Sequence, residues 1–520
     1  MKILTTAQMR EVDRKTAELG IPGLILMENA AARVVEFLVE KFSPLERHRI
    51  VVFCGKGNNG GDGLAIARQL HTRFRFKSLD ILLAAPAEEL TGDAAANFRM
   101  LEVSGGHCAF EIEPRMHGAT LIVDALLGSG LTGPARGKAF EWIQAVNAGF
   151  PEAKVVSVDV PSGMPSDSIE PFGEFIRADA TVTFTAPHRC HAFAPNCNSL
   201  GELGIAPIGS PCSLYEDDPS IKLTLIEPSM FRALFAPRNP DSNKGMYGHV
   251  LVFAGSRGKT GAAAMAGMAA LHAGAGLVTV ASSASAIPVI AGYAPELMTA
   301  ALPEDSEGSI AAEARQDLQH LAKTRSVLAM GPGLGTDRGV AKLVRELFMT
   351  LPKPAVVDAD ALNILAEGEP WTNSAGNLRV LTPHPGEMGR LTGLSVADVQ
   401  ASRIDCARKF ATERSVTLVL KGERTLIAFP DGDVWVNPTG SPAMATGGTG
   451  DVLTGMVAGM LAQFPKRPQE AVAAAVWLHG RAGELGAQRI GEQAFVATDL
   501  LRQLPDAIRQ VQSIHDQRRF

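Results

Sequence analysis

The chain has 520 residues, too many for one ordinary hydrophobic core, so roughly two to four domains are expected. Its 46% hydrophobic and 20% charged residues are those of a globular protein. A formal charge of -6, with only 3 Tyr and 4 Trp, argues against nucleic acid or an anionic membrane as a partner. No apolar run reaches the length of a membrane span, and Arg10, Glu11, Asp13 and Arg14 come too early for a secretory signal. The six cysteines are scattered without a C-x-x-C pair, which fits reduced thiols in a cytoplasmic protein.

Residues 5–42 read as two helices about a turn at Gly20-Ile21-Pro22-Gly23, with Leu26, Met27, Ala30, Ala31, Val34, Val35 and Leu38 as the apolar face of the second. A buried strand follows from Arg49 to Cys54. It breaks into Gly55-Lys56-Gly57-Asn58-Asn59-Gly60-Gly61-Asp62-Gly63, after which a helix resumes at Leu64. Strand, glycine loop and helix form the nucleotide-binding layout, and Gly55-x-Gly57-x-x-Gly60 with Asp80 about twenty residues on matches the dinucleotide fingerprint. That match leaves Asn58, Asn59 and Asp62 unused. Two amides and a carboxylate there suit a hard cation, or ribose and amide groups. Two more hydrophobic runs, 119–124 and 154–159, each end in an aspartate (Asp124, Asp159) followed by a Gly-rich loop, and ligands bind at such strand ends in open parallel sheets.

Together, Asn58-Asn59-Gly60-Gly61-Asp62, Val123-Asp124-Ala125-Leu126-Leu127-Gly128 and Ser157-Val158-Asp159-Val160-Pro161-Ser162-Gly163 resemble the NAD(P)H-hydrate epimerase family, over about residues 1–220. The resemblance implies a Rossmann-like three-layer domain that interconverts the R and S forms of hydrated nicotinamide cofactor. It implies that Asn58, Asn59, Gly60, Gly61, Asp62 and the loop Gly128, Ser129, Gly130, Leu131, Thr132, Gly133, Pro134 hold substrate. Asn59, Asp124 and Ser162 would bind potassium, and Asp159 would contact the reacting centre, where a carboxylate serves as acid–base. Where many relatives carry a lysine after the strand 180–184, this chain reads Ala186-Pro187-His188-Arg189.

Residues 201–242 are rich in Pro and Gly and read as the domain junction, with the cut near 222, so that the domains are 1–222 and 223–520. Beyond it, the strand Val250 to Phe253 leads to Ala254-Gly255-Ser256-Arg257-Gly258-Lys259-Thr260-Gly261. This is not a P-loop: five positions before Gly258, where that motif needs glycine, stands Phe253. The helix after it is a run of small residues, a mark of close packing. Further strand exits carry Gly331-Pro332-Gly333, Asp358-Ala359-Asp360, Thr382-Pro383-His384-Pro385-Gly386-Glu387 and Lys421-Gly422-Glu423-Arg424-Thr425. Last comes Ala445-Thr446-Gly447-Gly448-Thr449-Gly450-Asp451, whose bare amides and helix start suit phosphate oxygens. Asp451 is expected to stay ionised there and to take a proton from a substrate hydroxyl.

These segments resemble the ribokinase-like superfamily and, within it, the NAD(P)H-hydrate dehydratases, over about residues 223–515. The fold implied for the whole chain is therefore α/β twice over: a Rossmann-like domain, then a ribokinase-like one. By resemblance, Lys421, Gly422, Glu423, Arg424, Thr425 and Gly450 bind the adenine nucleotide, and Ala263, Gly333, His384 and Asp451 contact the hydrate. Asn243 stands where many relatives have histidine. The resemblance further implies ADP with magnesium as co-substrate, NADHX and NADPHX as substrates, and a homo-oligomer. Two rivals remain open at this point. One is a kinase for a vitamin-precursor alcohol, which would leave the first domain without a purpose; the other treats residues 1–220 as a non-catalytic binding module.

Overall fold

The computed structural model describes residues 1–513. The chain divides into two compact units, Met1–Ile221 and a second that begins at Lys222.

The first unit is built on seven strands: β1 (Arg49–Cys54), β2 (Ser78–Leu83), β3 (Cys108–Ala109), β4 (Leu121–Ala125), β5 (Lys154–Val158), β6 (Ala180–Phe184) and β7 (Glu202–Ala206). They are parallel throughout, in the order β3-β2-β1-β4-β5-β6-β7. Runs such as Ile50-Val51-Val52-Phe53 are apolar on both faces because helices cover both sides of the sheet. The strand order reverses between β1 and β4, so the loops leaving these two strands part and open a crevice. Helix α1 (Thr6–Glu18) starts from a Thr5–Gln8 capping box, and α2 (Gly23–Phe42) buries Leu26, Ala30, Ala31, Val34, Val35 and Leu38. Each of these Leu and Val side chains contributes about 1.5–3 kcal/mol on burial.

Two sequence expectations need correction. Helix α3 (Asn58–Arg73) begins at Asn58, not at Leu64. Gly57 is its N-cap, and the Gly61 N–H already bonds to the Gly57 carbonyl at 3.0 Å. The glycines that suggest a loop are there because neighbours leave no room: a Cβ on Gly60 would lie 1.8 Å from the Gly55 oxygen, and one on Gly61 2.7 Å from Met27 Sδ. The breaker-rich stretch 201–242 is likewise not all junction. Glu202–Ala206 is the edge strand β7, entered through Gly201 at φ 62°, and the short helix α4 (Arg189–Ala192) precedes it.

The second unit holds β8 (Leu223–Leu225), β9 (His249–Phe253), β10 (Leu277–Ser283), β11 (Met298–Leu302), β12 (Val327–Met330), β13 (Ala355–Val357), β14 (Arg379–Leu381), β15 (Thr417–Leu420), β16 (Leu426–Ala428) and β17 (Val434–Val436). The order is β11-β10-β9-β12-β13-β14-β15-β16-β17-β8, parallel as far as β15, with β16 antiparallel to both of its neighbours. The helices that matter to its site are α5 (Thr260–His272), α6 (Ala359–Glu367), α7 (Pro385–Thr392), α8 (Thr449–Gln463) and α9 (Pro468–Ile490). Every residue of α8 from Val452 to Ala462 is buried, as expected of a helix without a polar face. Small residues let α5 and α8 approach closely: a Cβ on Gly455 would lie 2.0 Å from the Ala266 oxygen, and one on Gly459 2.5 Å from that of Ala270. Among the described residues no helix is long and apolar enough to cross a membrane.

Candidate active sites

A cavity of about 500 Å³ opens where β1, β4, β5 and β6 of the first unit end. Gly57, Asn58, Asn59 and Asp62 form one wall, the loop Leu126–Leu131 a second, and Asp159, Thr185 and His188 a third. Of the predicted substrate residues, Gly60 and Gly61 lie inside the helix packing, and Thr132, Gly133 and Pro134 are not on the cavity wall. Asp80 lies within β2, where Arg115 engages its carboxylate. The fingerprint glycines thus shape the β1–α3 turn, and a Cβ on Gly55 would lie 1.9 Å from the Leu126 oxygen.

Asp159 stands just past β5 with φ 64°, a left-handed backbone that costs a non-glycine residue about 1–3 kcal/mol and marks functional positions. Thr185, just past β6, repeats it with φ 65°. Asp159 Oδ2 accepts from the Ser129 N–H at 3.1 Å and Oδ1 from the Thr183 hydroxyl at 3.1 Å. The loop is held in turn by α1, because the Thr6 hydroxyl donates to the Ser129 carbonyl at 3.0 Å. Gly128 leaves space between Asn59 and Asp159: a Cβ there would come within 3.2 Å of Asp159 Oδ2. Burial, then the Asp159 charge, pushes the Asp13 carboxyl up to about 6, against the pull of His188. Burial, then Asp159 and Asp13, also pushes Asp62 well up.

Asp124 is fully buried at the end of β4. It accepts from the hydroxyls of Ser157 (2.8 Å) and Ser162 and from the Ser162 N–H (2.9 Å). Burial raises its carboxyl, and these bonds oppose the rise. Both side-chain polar atoms of Asn59 are buried without a hydrogen-bond partner. A buried amide in that state is costly unless a ligand completes it. Its oxygen, like those of Asp124 and Ser162, is a hard donor of the type that alkali cations take.

The site of the second unit is a charge cluster. Lys421, just past β15, donates to Asp358 Oδ1 at 2.8 Å and lies 3.7 Å from Glu387 Oε2. Asp358, 1% exposed, also accepts from the Thr454 hydroxyl of α8 at 2.8 Å. Burial pulls the Lys421 amine down, but Asp358 and then Glu387 hold it above its ordinary value. Gly450 fits beside this pair, since a Cβ on it would lie 3.2 Å from Lys421 Nζ. Asp360 accepts from the Gly335 N–H at 2.8 Å and sits 3.5 Å from Lys259 Nζ. Asp451 is in the first turn of α8, where the helix end favours negative charge. Even so, burial and then the charges of Asp358, Asp360 and Glu387 push its carboxyl up to about 7, with Lys421 opposing. The expectation of a plainly ionised carboxylate is thereby corrected: Asp451 is poised near neutrality, the value that suits a general base.

Other predicted residues have structural tasks as well. His384 Nδ1 accepts from the N–H groups of Gly386 (3.0 Å) and Glu387 (3.4 Å), capping α7. Gly333, at φ 63°, is packed against Lys259 and takes a hydrogen bond on its carbonyl from the Ser256 hydroxyl at 2.8 Å. Ala263 is wholly buried in α5. The turn Lys421–Thr425 joins β15 to β16. Arg424, at φ 55°, donates to the Pro438 carbonyl at 2.7 Å, and the Thr425 hydroxyl to the Gly422 carbonyl at 3.0 Å. Buried His479 of α9 bonds to the Thr449 carbonyl at 2.8 Å, steadying the start of α8. Sequence reading assigns no role to Thr6, Arg10 or Asp13, nor to Asp358. The first three lie on an ordinary polar helix face, and the fourth shows only as one more aspartate after a strand.

A family model described as NAD(P)H-hydrate dehydratase matches residues 250–506, and one described as YjeF-related protein N-terminus matches residues 23–190. The bifunctional NAD(P)H-hydrate repair enzyme of Moorella thermoacetica is 41% identical, over 98% of this chain and 97% of that relative. Its namesake in Coxiella burnetii is 37% identical, over 96% and 97%. A solved ADP/ATP-dependent NAD(P)H-hydrate dehydratase from Bacillus subtilis, co-crystallised with ATP and magnesium, is 35% identical over 55% of this chain and 98% of its own, with a TM-score of 0.49.

Proposed function

The chain belongs to the family of bifunctional NAD(P)H-hydrate repair enzymes, and from that membership we propose that each unit carries one of the two reactions: epimerisation within 1–222, dehydration within 223–520. The protein restores hydrated nicotinamide cofactors, NADHX and NADPHX, to NADH and NADPH. The dehydratase acts on the S epimer at the expense of ADP, and the epimerase supplies S from R.

In the first unit, Asn58, Asn59, Asp62, Gly128–Leu131 and Asp159 hold the hydrate, with Asp159 as acid–base beside the carbon that inverts. Asn59, Asp124 and Ser162 hold potassium, which would settle the Asn59 oxygen and fix the loop ends around the substrate. The buried, unpartnered Asn59 amide supports this.

In the second unit, Lys421–Thr425 and Gly450 bind the adenine nucleotide, while Ala263, Gly333, His384 and Asp451 contact the hydrate. Asp451 takes the proton of the ring hydroxyl as its oxygen attacks the terminal phosphorus of ADP. Lys421 and the amides at the start of α8 stabilise the charge on the transferring phosphoryl group. AMP leaves. Phosphate then departs from the ring carbon, the ring nitrogen supplies electrons, and the neighbouring carbon loses a proton. Among the described residues no three His, Cys, Asp or Glu side chains are arranged to hold a metal ion. Magnesium would therefore be held chiefly by the nucleotide phosphates, with a carboxylate of the cluster, and would neutralise charge there.

The observation that carries this reading is Asp451 in the first turn of α8, beside the Lys421–Asp358 pair and with its carboxyl near 7. We place the enzyme in the cytoplasm, for which its six free thiols speak, and expect a homo-oligomer, which native mass would test. The test of function is to mix the protein with both epimers, magnesium and ADP. The expected result is recovery of dihydronicotinamide absorbance with AMP and phosphate formed in equal amount; no recovery with ADP or ATP overturns it.

A further inference from the structure

One cavity-facing group of the first unit has no part in the account above. The His188 ring is 1% exposed and lies on the cavity wall. Its Nδ1 is 3.0 Å from the Leu4 carbonyl oxygen. A carbonyl only accepts, so Nδ1 carries a proton, and Nε2 is left to Asp159, whose Oδ1 is 3.8 Å away. That gap is too long for a direct hydrogen bond, and it lets one oxygen lying beside the pair bond to both groups.

The other titratable groups near His188 are occupied differently. His191 of α4, with its ring centroid 5.8 Å from that of His188, accepts the His188 backbone N–H on Nδ1 at 2.9 Å and gives its Nε2 proton to the Asp159 carbonyl at 3.0 Å. Burial, then the His188 charge, pushes its pKa far down, so it stays neutral. Asp13 of α1 and Asp62 of α3 face the same space, both raised by burial and by Asp159. Of the two imidazoles, His188 alone keeps a ring nitrogen without a hydrogen-bond partner among the described residues. The buried Thr185 hydroxyl on the same wall is also without one.

We propose that His188 is the second catalytic group of the epimerisation, a proton donor paired with Asp159; this rests on the reading of the cavity as the epimerase site. The inverting carbon carries a hydroxyl and the ring nitrogen. The His188 imidazolium gives its Nε2 proton to that hydroxyl, the C–O bond breaks, water leaves, and the nitrogen lone pair forms C=N. The planar ring turns over about its bond to the ribose, water adds to the other face of the same carbon from the side of the pair, the C=N electrons return to nitrogen, and Asp159 takes the proton that the water loses. The pair resets when that proton crosses from Asp159 to His188 Nε2 through an intervening water. The substrate keeps its formula, and neither oxidant nor reductant is consumed.

The test follows epimer interconversion of NADHX by chromatography on the full chain without nucleotide, so that the dehydratase is silent. Active protein is counted beforehand from dehydratase turnover. His188→Gln keeps an N–H for the Leu4 carbonyl but has no proton to transfer. Its kcat is expected to fall by about 10²–10³, with KM within about threefold of wild type. His188→Lys supplies a cationic proton donor of a side-chain class that titrates well above the imidazoles. It is expected to retain turnover, with the alkaline limb of the pH profile moved to higher pH, which a merely structural side chain would not do. Unchanged kcat in His188→Gln, or an unmoved alkaline limb in His188→Lys, overturns the assignment. If His188→Gln loses its cooperative melting, the limb in His188→Lys decides alone. Asp159→Asn separates the two layers: if it too interconverts epimers at the wild-type rate, the cavity reading fails; if it is inactive while His188→Gln is not, only His188 is wrong.

Discussion

The two sites solve opposite electrostatic problems. In the first unit, polar groups stand ready without partners: the Asn59 amide is unbonded at both ends, and the Thr185 hydroxyl is free. In the second, the charged groups hold one another, Lys421 with Asp358 and Glu387, and Asp360 with the Gly335 N–H and Lys259. An unpartnered buried amide waits for a ligand that brings a cation or hydrogen bonds. A paired cluster fits a ligand that brings its own charge, as a nucleotide diphosphate does. Inverting a neutral centre needs two proton-transfer groups, whereas moving a phosphoryl group needs a field, and the proposed division of the two reactions between the units follows that contrast.

The largest expected effect tests the second site. Asp451→Asn should lower dehydratase kcat by about 10²–10⁴, measured on the S epimer with saturating ADP. The same substitution should raise stability at neutral pH by about 2 kcal/mol in denaturant unfolding. The sign follows from a carboxyl whose folded pKa of about 7 lies above its ordinary 3.8: the folded state binds the extra proton, so its contribution to stability declines as pH rises from about 4 to 7. Activity should run the other way, with dehydratase kcat/KM falling as pH drops through about 7.

Lys421→Met removes the cation that opposes the rise at Asp451, so the acid limb of the dehydratase profile should move to higher pH. Asp358 is left buried and unpaired, at a cost of about 3–5 kcal/mol in unfolding free energy. Gly455→Ala should cost about 1–3 kcal/mol through its clash with the Ala266 carbonyl, read as a lower melting temperature. Replacing potassium with tetramethylammonium should slow epimerisation while dehydration of pure S epimer proceeds as before; equal loss of both would break the contrast between the sites. The smallest effect belongs to Asp80→Asn: with Arg115 on its carboxylate and no place on the cavity wall, it should change the epimerase KM by less than about twofold.

Much of this architecture is legible in the residues. Hydrophobic runs ending in Asp124, Asp159 and Lys421 mark strand exits, and the small residues of α5 signal close packing that Gly455 and Gly459 of α8 complete. Asn58–Gly63 reads as a loop because three glycines and two asparagines are poor helix formers, yet contacts with Gly55 and Met27 override that propensity. The edge strand β7 hides among prolines and glycines that lie just outside it. The ionisation of Asp451 is beyond local reading, because it is set by Asp358, Asp360 and Glu387, far away in the chain and near in space. The pairing of His188 with Asp159 hides for the same reason: β5, β6 and the Leu4 carbonyl bring the two together.

The most direct test of two independent sites on one chain is the extent of recovery from an equal mixture of epimers with ADP and magnesium. Wild type should return nearly all of the dihydronicotinamide absorbance, Asp159→Asn should stop near half on the same timescale, and Asp451→Asn should return almost none. Full recovery by Asp159→Asn at the wild-type rate, or any substantial recovery by Asp451→Asn, would contradict the account.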